Sequence, residues 1–192
     1  VLNDSAGKQG LIGLDNILLG ESAANSLENG ERNIIVGNNA AQTITSEDDN
    51  VIIGYQAGQS TTASENVFVG NYSGKNISSG QKNTFVGFNA GYGTNGSATG
   101  DHNVIIGDSS GYNLTSGSDN IFLGAGSGYS NTSGSKNIFI GGGNLDDDNS
   151  EDEKSNTTGS QNLIIGYQAG FSSQTVSDNI FYGYQSGYNT TT

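Results

Sequence analysis

Asn50-Val51-Ile52-Ile53-Gly54 is a five-residue cassette of Asn, three apolar residues and Gly, and the chain repeats it ten times. The other copies begin at Asn16, Asn33, Asn66, Asn83, Asn103, Asn120, Asn137, Asn162 and Asn179, with successive spacings of 17, 17, 16, 17, 20, 17, 17, 25 and 17 residues. A period this regular specifies a repeat architecture, in which each unit buries its apolar face only by stacking on its neighbours. The array therefore runs over residues 16–192 as one solenoid. Residues 1–15 form an incomplete first coil around Gly10-Leu11-Ile12-Gly13, and a longer inserted loop lies near 142–160.

Composition narrows the class further. Of 192 residues, 32% are hydrophobic and 31 are Gly, a balance that alone would point to disorder. The apolar residues are instead concentrated in the cassettes, where a thin core needs them. There is no Pro, Cys, Met or Trp. Without Cys the chain has no disulfides and no thiolate metal ligands. No apolar run approaches the ~20 residues that span a bilayer as a helix. A formal charge of −13 repels phosphate backbones and anionic lipids, which excludes nucleic acid and membrane insertion as expected partners. The missing initial Met and the absence of capping elements are expected of a piece of a longer chain, whose ends are covered by further chain or another subunit.

Within a repeat the cassette predicts a short β-strand. Its second apolar position is Leu18, Ile35, Ile52, Phe68, Phe85, Ile105, Phe122, Phe139, Ile164 or Phe181. Side chains alternate across a strand, so three apolar residues in succession face both ways, and both faces are expected to be buried. A single coil buries only one. The middle residue is expected in one core and its two neighbours in another, one of the two being the interior of the roll and the other formed between chains.

Beyond the cassette Gly, segments such as Tyr55-Gln56-Ala57-Gly58 and Tyr184-Gln185-Ser186-Gly187 place Ala or Ser three residues on. This is read as a second short strand lying close over the first, so that two strands per ~17 residues make a flattened β-roll. A Gly recurs three places before the next Asn, at Gly13, Gly30, Gly80, Gly100, Gly117, Gly134 and Gly159, and predicts a position with φ > 0. With strands ~4.8 Å apart, ten coils give a rod ~48 Å long.

Stacking places equivalent side chains in columns. The Asn column (Asn16, Asn33, Asn50, Asn66, Asn83, Asn103, Asn120, Asn137, Asn162, Asn179) is read as a structural ladder of amides. The residue before each Asn forms a column of mostly alternating charge: Asp15, Arg32, Asp49, Glu65, Lys82, His102, Asp119, Lys136, Gln161 and Asp178. The single histidine is expected to be a surface member of it rather than a catalytic base. Tyr92, Tyr112, Tyr129, Phe171 and Tyr188 form a third column, either aromatic cover over Gly-rich backbone or a row of rings on which sugars could pack. In the acidic insertion, Asp146, Asp148 and Glu151 are the candidate ligands for Ca²⁺, beside the reading of a solvated loop; EF-hand spacing is absent. One His and no Cys assemble no nucleophilic triad, and the carboxylates have no apolar setting to raise their pKa values, so no catalytic residues and no enzyme are expected.

At the cassette, Asn50-Val51-Ile52-Ile53-Gly54 with Tyr55-Gln56-Ala57-Gly58 resembles the head repeats of YadA-like trimeric autotransporter adhesins. It looks closer still to the Asn-x-Phe-x-Gly-x-x-Ala-Gly repeats of bacterial surface fibres and phage tail fibres. The resemblance covers about residues 13–188. It implies a left-handed parallel β-roll, three chains about a common axis, and an extracellular, cell-surface or virion fibre that presents or forms a tip binding a glycan or protein receptor. The period of ~17 residues and the Asn in place of Ser depart from the YadA-type pattern. The rival expectation is a monomeric β-solenoid binding a repetitive ligand, polysaccharide or ice; an ice-binder would carry regular Thr columns, and Thr here is scattered.

Overall fold

The computed structural model describes residues 15–94, 98–142, 157–171, 173, 175–188 and 190. The expected first coil, apart from Asp15, and the calcium candidates Asp146, Asp148 and Glu151 lie outside these residues. Each cassette forms one three-residue strand. They are β1 (Ile17–Leu19), β2 (Ile34–Val36), β3 (Val51–Ile53), β4 (Val67–Val69), β5 (Thr84–Val86), β6 (Val104–Ile106), β7 (Ile121–Leu123), β8 (Ile138–Ile140), β9 (Leu163–Ile165) and β10 (Ile180–Tyr182). All ten pair in chain order in a single parallel sheet. The register never slips: Val51, Ile52 and Ile53 face Val67, Phe68 and Val69 in the next coil. It holds across the 25-residue spacing too, where Ile138 faces Leu163. The chain is a parallel β-solenoid, and we number each coil by its strand.

Four columns of residues fix each coil. The cassette Gly is the first. Gly20, Gly37, Gly54, Gly70, Gly87, Gly107, Gly124, Gly141, Gly166 and Gly183 have φ between +117° and +142°, in the region that disfavours any Cβ. The glycines also stack backbone on backbone, so that a Cβ on Gly20 would lie 2.5 Å from the Gly37 carbonyl oxygen. The strand must end there, and the chain turns a corner.

The segment after that corner is a turn, not the expected second strand. Its second and fourth residues are left-handed, as at Asn39 (φ 57°) and Ala41 (φ 47°), and at Gln56 (53°) and Gly58 (52°). Alternating left-handed residues forbid an extended backbone. The segment closes locally, with Ala57 N–H donating to Gly54 O, and bonds to the next coil at intervals, as Gly58 N–H does to Ser73 O (2.8 Å). The small residues are where the thin core needs them. Ala40, Ala57, Ser73, Ala90 and Ser110 are buried over the middle strand residues. A Cβ at Gly74 would lie 2.8 Å from the Phe68 ring, and one at Gly128 2.6 Å from Phe122. In the first two coils Ala24 and Ala41 take the place of that Gly.

The Gly three places before each Asn also departs from expectation, since Gly30, Gly80, Gly100, Gly117 and Gly134 are not left-handed. Crowding explains them: a Cβ on Gly30 or Gly80 would strike the carbonyl oxygen at the same place in the next coil, Glu47 or Gly100. The left-handed residue is instead the polar one directly before Asn. All ten, from Asp15 to Asp178, have φ between 56° and 63°.

The Asn ladder joins these columns. Each Asn Oδ1 accepts the backbone N–H of the Asn one coil on, at 3.0 Å for Asn83 to Asn66 and for Asn120 to Asn103. In most coils its amide donates to the carbonyl of the crowded corner of the next coil, as Asn66 to Gly80 O (3.0 Å), Asn103 to Gly117 O (3.0 Å) and Asn137 to Gly159 O (2.9 Å), whereas Asn50 and Asn179 donate to Asp48 O and Ser177 O of their own coils. Asn33 through Asn162 are buried in these bonds. Burial of a polar group without a partner costs about 1–3 kcal/mol, and each Asn prevents that cost at two backbone groups. The column is structural.

A second interior column completes the core. Leu27, Ile44, Ile77 and Leu114 are fully buried, each seven residues after its cassette Gly. Thr61, Asn131 and Ser173 occupy that place in other coils and are also buried.

Candidate functional site

The strand pattern divides its three apolar residues. The middle one, from Leu18 through Ile164, is buried, and Phe68 stacks on Phe85 at 5.1 Å and Phe122 on Phe139 at 5.0 Å. The residues on either side point out of the coil. Ile17, Leu19, Ile34, Ile53, Ile106, Ile138 and Ile140 are exposed, and Val51, Val67, Val69, Thr84, Val86, Val104, Ile121, Leu123, Leu163 and Ile165 are half-buried. The expected burial of both faces is thus met on one face only within the chain. The other is a strip of two apolar columns, ~48 Å long and ~10 Å wide for ten three-residue strands. Its footprint of ~500 Å² reaches the upper range of the largest apolar patch on an ordinary monomer. Thr84 and the Tyr182 hydroxyl are its polar groups.

The charged column lies at the corner where the chain enters each strand. Arg32 makes a two-pronged bond to Asp49 in the next coil (2.6 and 3.0 Å) and also pairs with Glu31 (2.8 Å). Lys82 and Glu65 approach to 3.8 Å. The Arg32 guanidinium, chiefly by its hydrogen bond, holds the Asp49 carboxyl below the usual range, and Asp49 in turn raises Arg32. These groups are solvent-exposed, so such pairs contribute little and weaken in salt. His102 is exposed in this column, and its backbone N–H bonds to Gln81 O (3.0 Å).

Tyr92, Tyr112 and Tyr129 stack like coins, with centroids 4.7 and 5.1 Å apart and planes within 8° and 5°. Phe171 and Tyr188 repeat this at 4.9 Å. All are half-buried. Their faces are turned to each other, so the row presents ring edges and hydroxyls. Burial, then the neighbouring Tyr92, pushes the Tyr112 phenol up.

A second aromatic set lies at the other end of the strand, at the first two positions after the cassette Gly. Tyr55 meets Tyr72 edge to face (5.4 Å, 82°), and Tyr72 meets Phe88 likewise (5.9 Å, 78°). Tyr167 and Tyr184 stack at the same corner of coils 9 and 10. The sequence carried a signal for this set, since an aromatic follows Gly54, Gly87, Gly166 and Gly183 directly. The set is not a single-register column, because Tyr72 joins it from one position later. Among the described residues no group of three or more His, Asp or Glu side chains could hold a metal ion, and no helix is long and apolar enough to cross a membrane.

No family model matches the chain, and no curated protein or solved structure matches it.

Proposed function

We propose that the chain is a non-enzymatic structural and adhesive segment of a trimeric surface or tail fibre, presenting or forming a tip that binds a cell surface. The observation that carries this reading is the outer strip of the sheet, a continuous apolar face along the full height of the solenoid. Burial of apolar area yields roughly 25 cal/mol per Å², and a second and third copy offer matching strips of the same length and pitch. Sheets that meet face to face in this way pack ~10 Å apart. The number three comes from the resemblance of the repeat to adhesin heads and fibre segments, as does an extracellular, cell-surface or virion location. The adhesive role is supported by the same resemblance and by the exposed aromatic corner.

Light scattering of the chain at micromolar concentration tests the assembly, with a trimer mass expected. A stable monomer overturns it. Whole-cell binding by the assembled chain tests adhesion, and a trimer that binds no cell is a passive spacer.

A further inference from the structure

The two aromatic sets differ in what they leave open. In the Tyr92–Tyr112–Tyr129 stack each contact occupies two ring faces. At the Tyr55–Tyr72–Phe88 corner each contact sets an edge against a face, so the two contacts occupy at most two of six faces. Tyr55 is 40% and Phe88 49% exposed. The Lys75 ammonium lies 5.1 Å from the Tyr72 centroid and 5.7 Å from that of Tyr92, linking the two sets. No carboxylate pairs with Lys75 among the described residues.

Amide side chains share this corner with the rings. Asn71, itself exposed, accepts the Tyr55 N–H through Oδ1 (3.0 Å). Gln56 Nε2 donates to the Tyr55 hydroxyl (3.1 Å), and Asn89 follows Phe88 at the same corner. The corner therefore combines flat apolar faces, amide donors and acceptors and one ammonium, spread along the solenoid axis without an enclosed pocket. A pyranose ring complements this set, laying its apolar C–H face on an aromatic face while its hydroxyls meet the amides. The formal charge of −13 disfavours anionic polymers, nucleic acid included.

We propose that Tyr55, Tyr72 and Phe88, with Lys75 and Asn71, bind a neutral oligosaccharide laid along the solenoid axis. This names the receptor class of the adhesive surface and rests on that reading. The test uses the assembled chain with cellohexaose, chitohexaose and a β-1,4-galactohexaose, followed by calorimetry and saturation-transfer NMR. At least one should bind saturably, and Tyr55→Ala with Phe88→Leu should weaken it about tenfold. Phe88→Leu keeps the corner apolar, and circular dichroism confirms the fold. Tyr112→Phe should leave binding unchanged. Absence of binding to all three sugars overturns the proposal, as does binding that ignores the corner variants. A fall in mass of the double variant also overturns it, by making the rings a contact between copies. Cell binding that survives in the double variant sinks this site and leaves the adhesive reading intact. Loss of cell binding in the unaltered chain sinks that reading itself.

Discussion

Ile52 and Ile53 are adjacent, identical and in the same strand, yet one is fully buried and the other 37% exposed. Ile52 lies in the interior stack between Ile35 and Phe68 of the neighbouring coils, beneath the small residues of the turn. Ile53 contributes nothing to that interior. Its column recurs through all ten coils with Leu, Val, Ile or Tyr, although solvent imposes no such choice. The two faces separate what makes a coil from what a coil offers to others.

The same substitution on each face gives the largest contrast. Ile52→Asp places a carboxylate where no partner reaches it, at a cost on the order of 4 kcal/mol or more. Thermal denaturation followed by circular dichroism should show the solenoid lost or its midpoint lowered by many degrees. Ile53→Asp should change the stability of the isolated coil by less than about 1 kcal/mol. By light scattering it should nonetheless convert the assembly to single chains. If Ile53→Asp unfolds the chain as Ile52→Asp does, the division between the faces fails.

The interior is held by polar groups as well, and Asn66→Ala measures them. It removes the acceptor for Asn83 N–H and the donor for Gly80 O, leaving both buried. Two such losses amount to roughly 2–4 kcal/mol. Asn66→Asp sharpens the point, because it keeps the acceptor but sets a carboxylate oxygen against carbonyls. Denaturant melts should place the Asp variant at or below Ala. An Asp variant as stable as the parent chain would remove the ladder from the account of the fold.

How far these features were legible follows from what repetition encodes. The cassette stated strand, register and stacking outright, because Asn and Gly return at one spacing in every coil. The Asn ladder was legible for the same reason. The second strand was misread because short segments rich in Ala, Ser and Gly fit a closely packed strand and a left-handed turn equally well. Only the backbone angles at Asn39 and Ala41 distinguish them. The Gly column before each Asn was read as conformational freedom, whereas it answers to a carbonyl in another coil, a contact no local pattern contains. Leu27, Ile44, Ile77 and Leu114 were recoverable from their constant distance to the cassette Gly, but Thr61 and Asn131 interrupt the column and hide it. The aromatic corner was hidden by the shift of Tyr72 by one position.

The left-handed corner before each Asn yields a smaller effect of opposite sign. Asp119 holds φ 59° without an ion pair among the described residues. A left-handed non-Gly residue costs about 1 kcal/mol, and Gly relieves it at some cost in unfolded-chain entropy. Asp119→Gly should stabilise the chain by ~0.5 kcal/mol in a denaturant melt. A clear loss would show that the Asp side chain contributes more to this corner than its backbone strain removes.

The smallest effect lies in the Arg32–Asp49 pair on the solvent side of the same corner. The Asp49 carboxyl is held below the ordinary Asp value of ~3.9 by its hydrogen bonds from Arg32. A depressed folded-state pKa stabilises the fold at pH values above the unfolded one, and that contribution is lost as pH falls through the folded one. Arg32 stays charged throughout, so the change belongs to Asp49 alone. The stability difference between the parent chain and Asp49→Asn should therefore be constant from pH 7 to about 5 and shrink below pH ~4. It should also shrink in 1 M salt, where the Debye length is ~3 Å. A difference that persists at pH 2 would trace it to the shape of the left-handed corner rather than to charge.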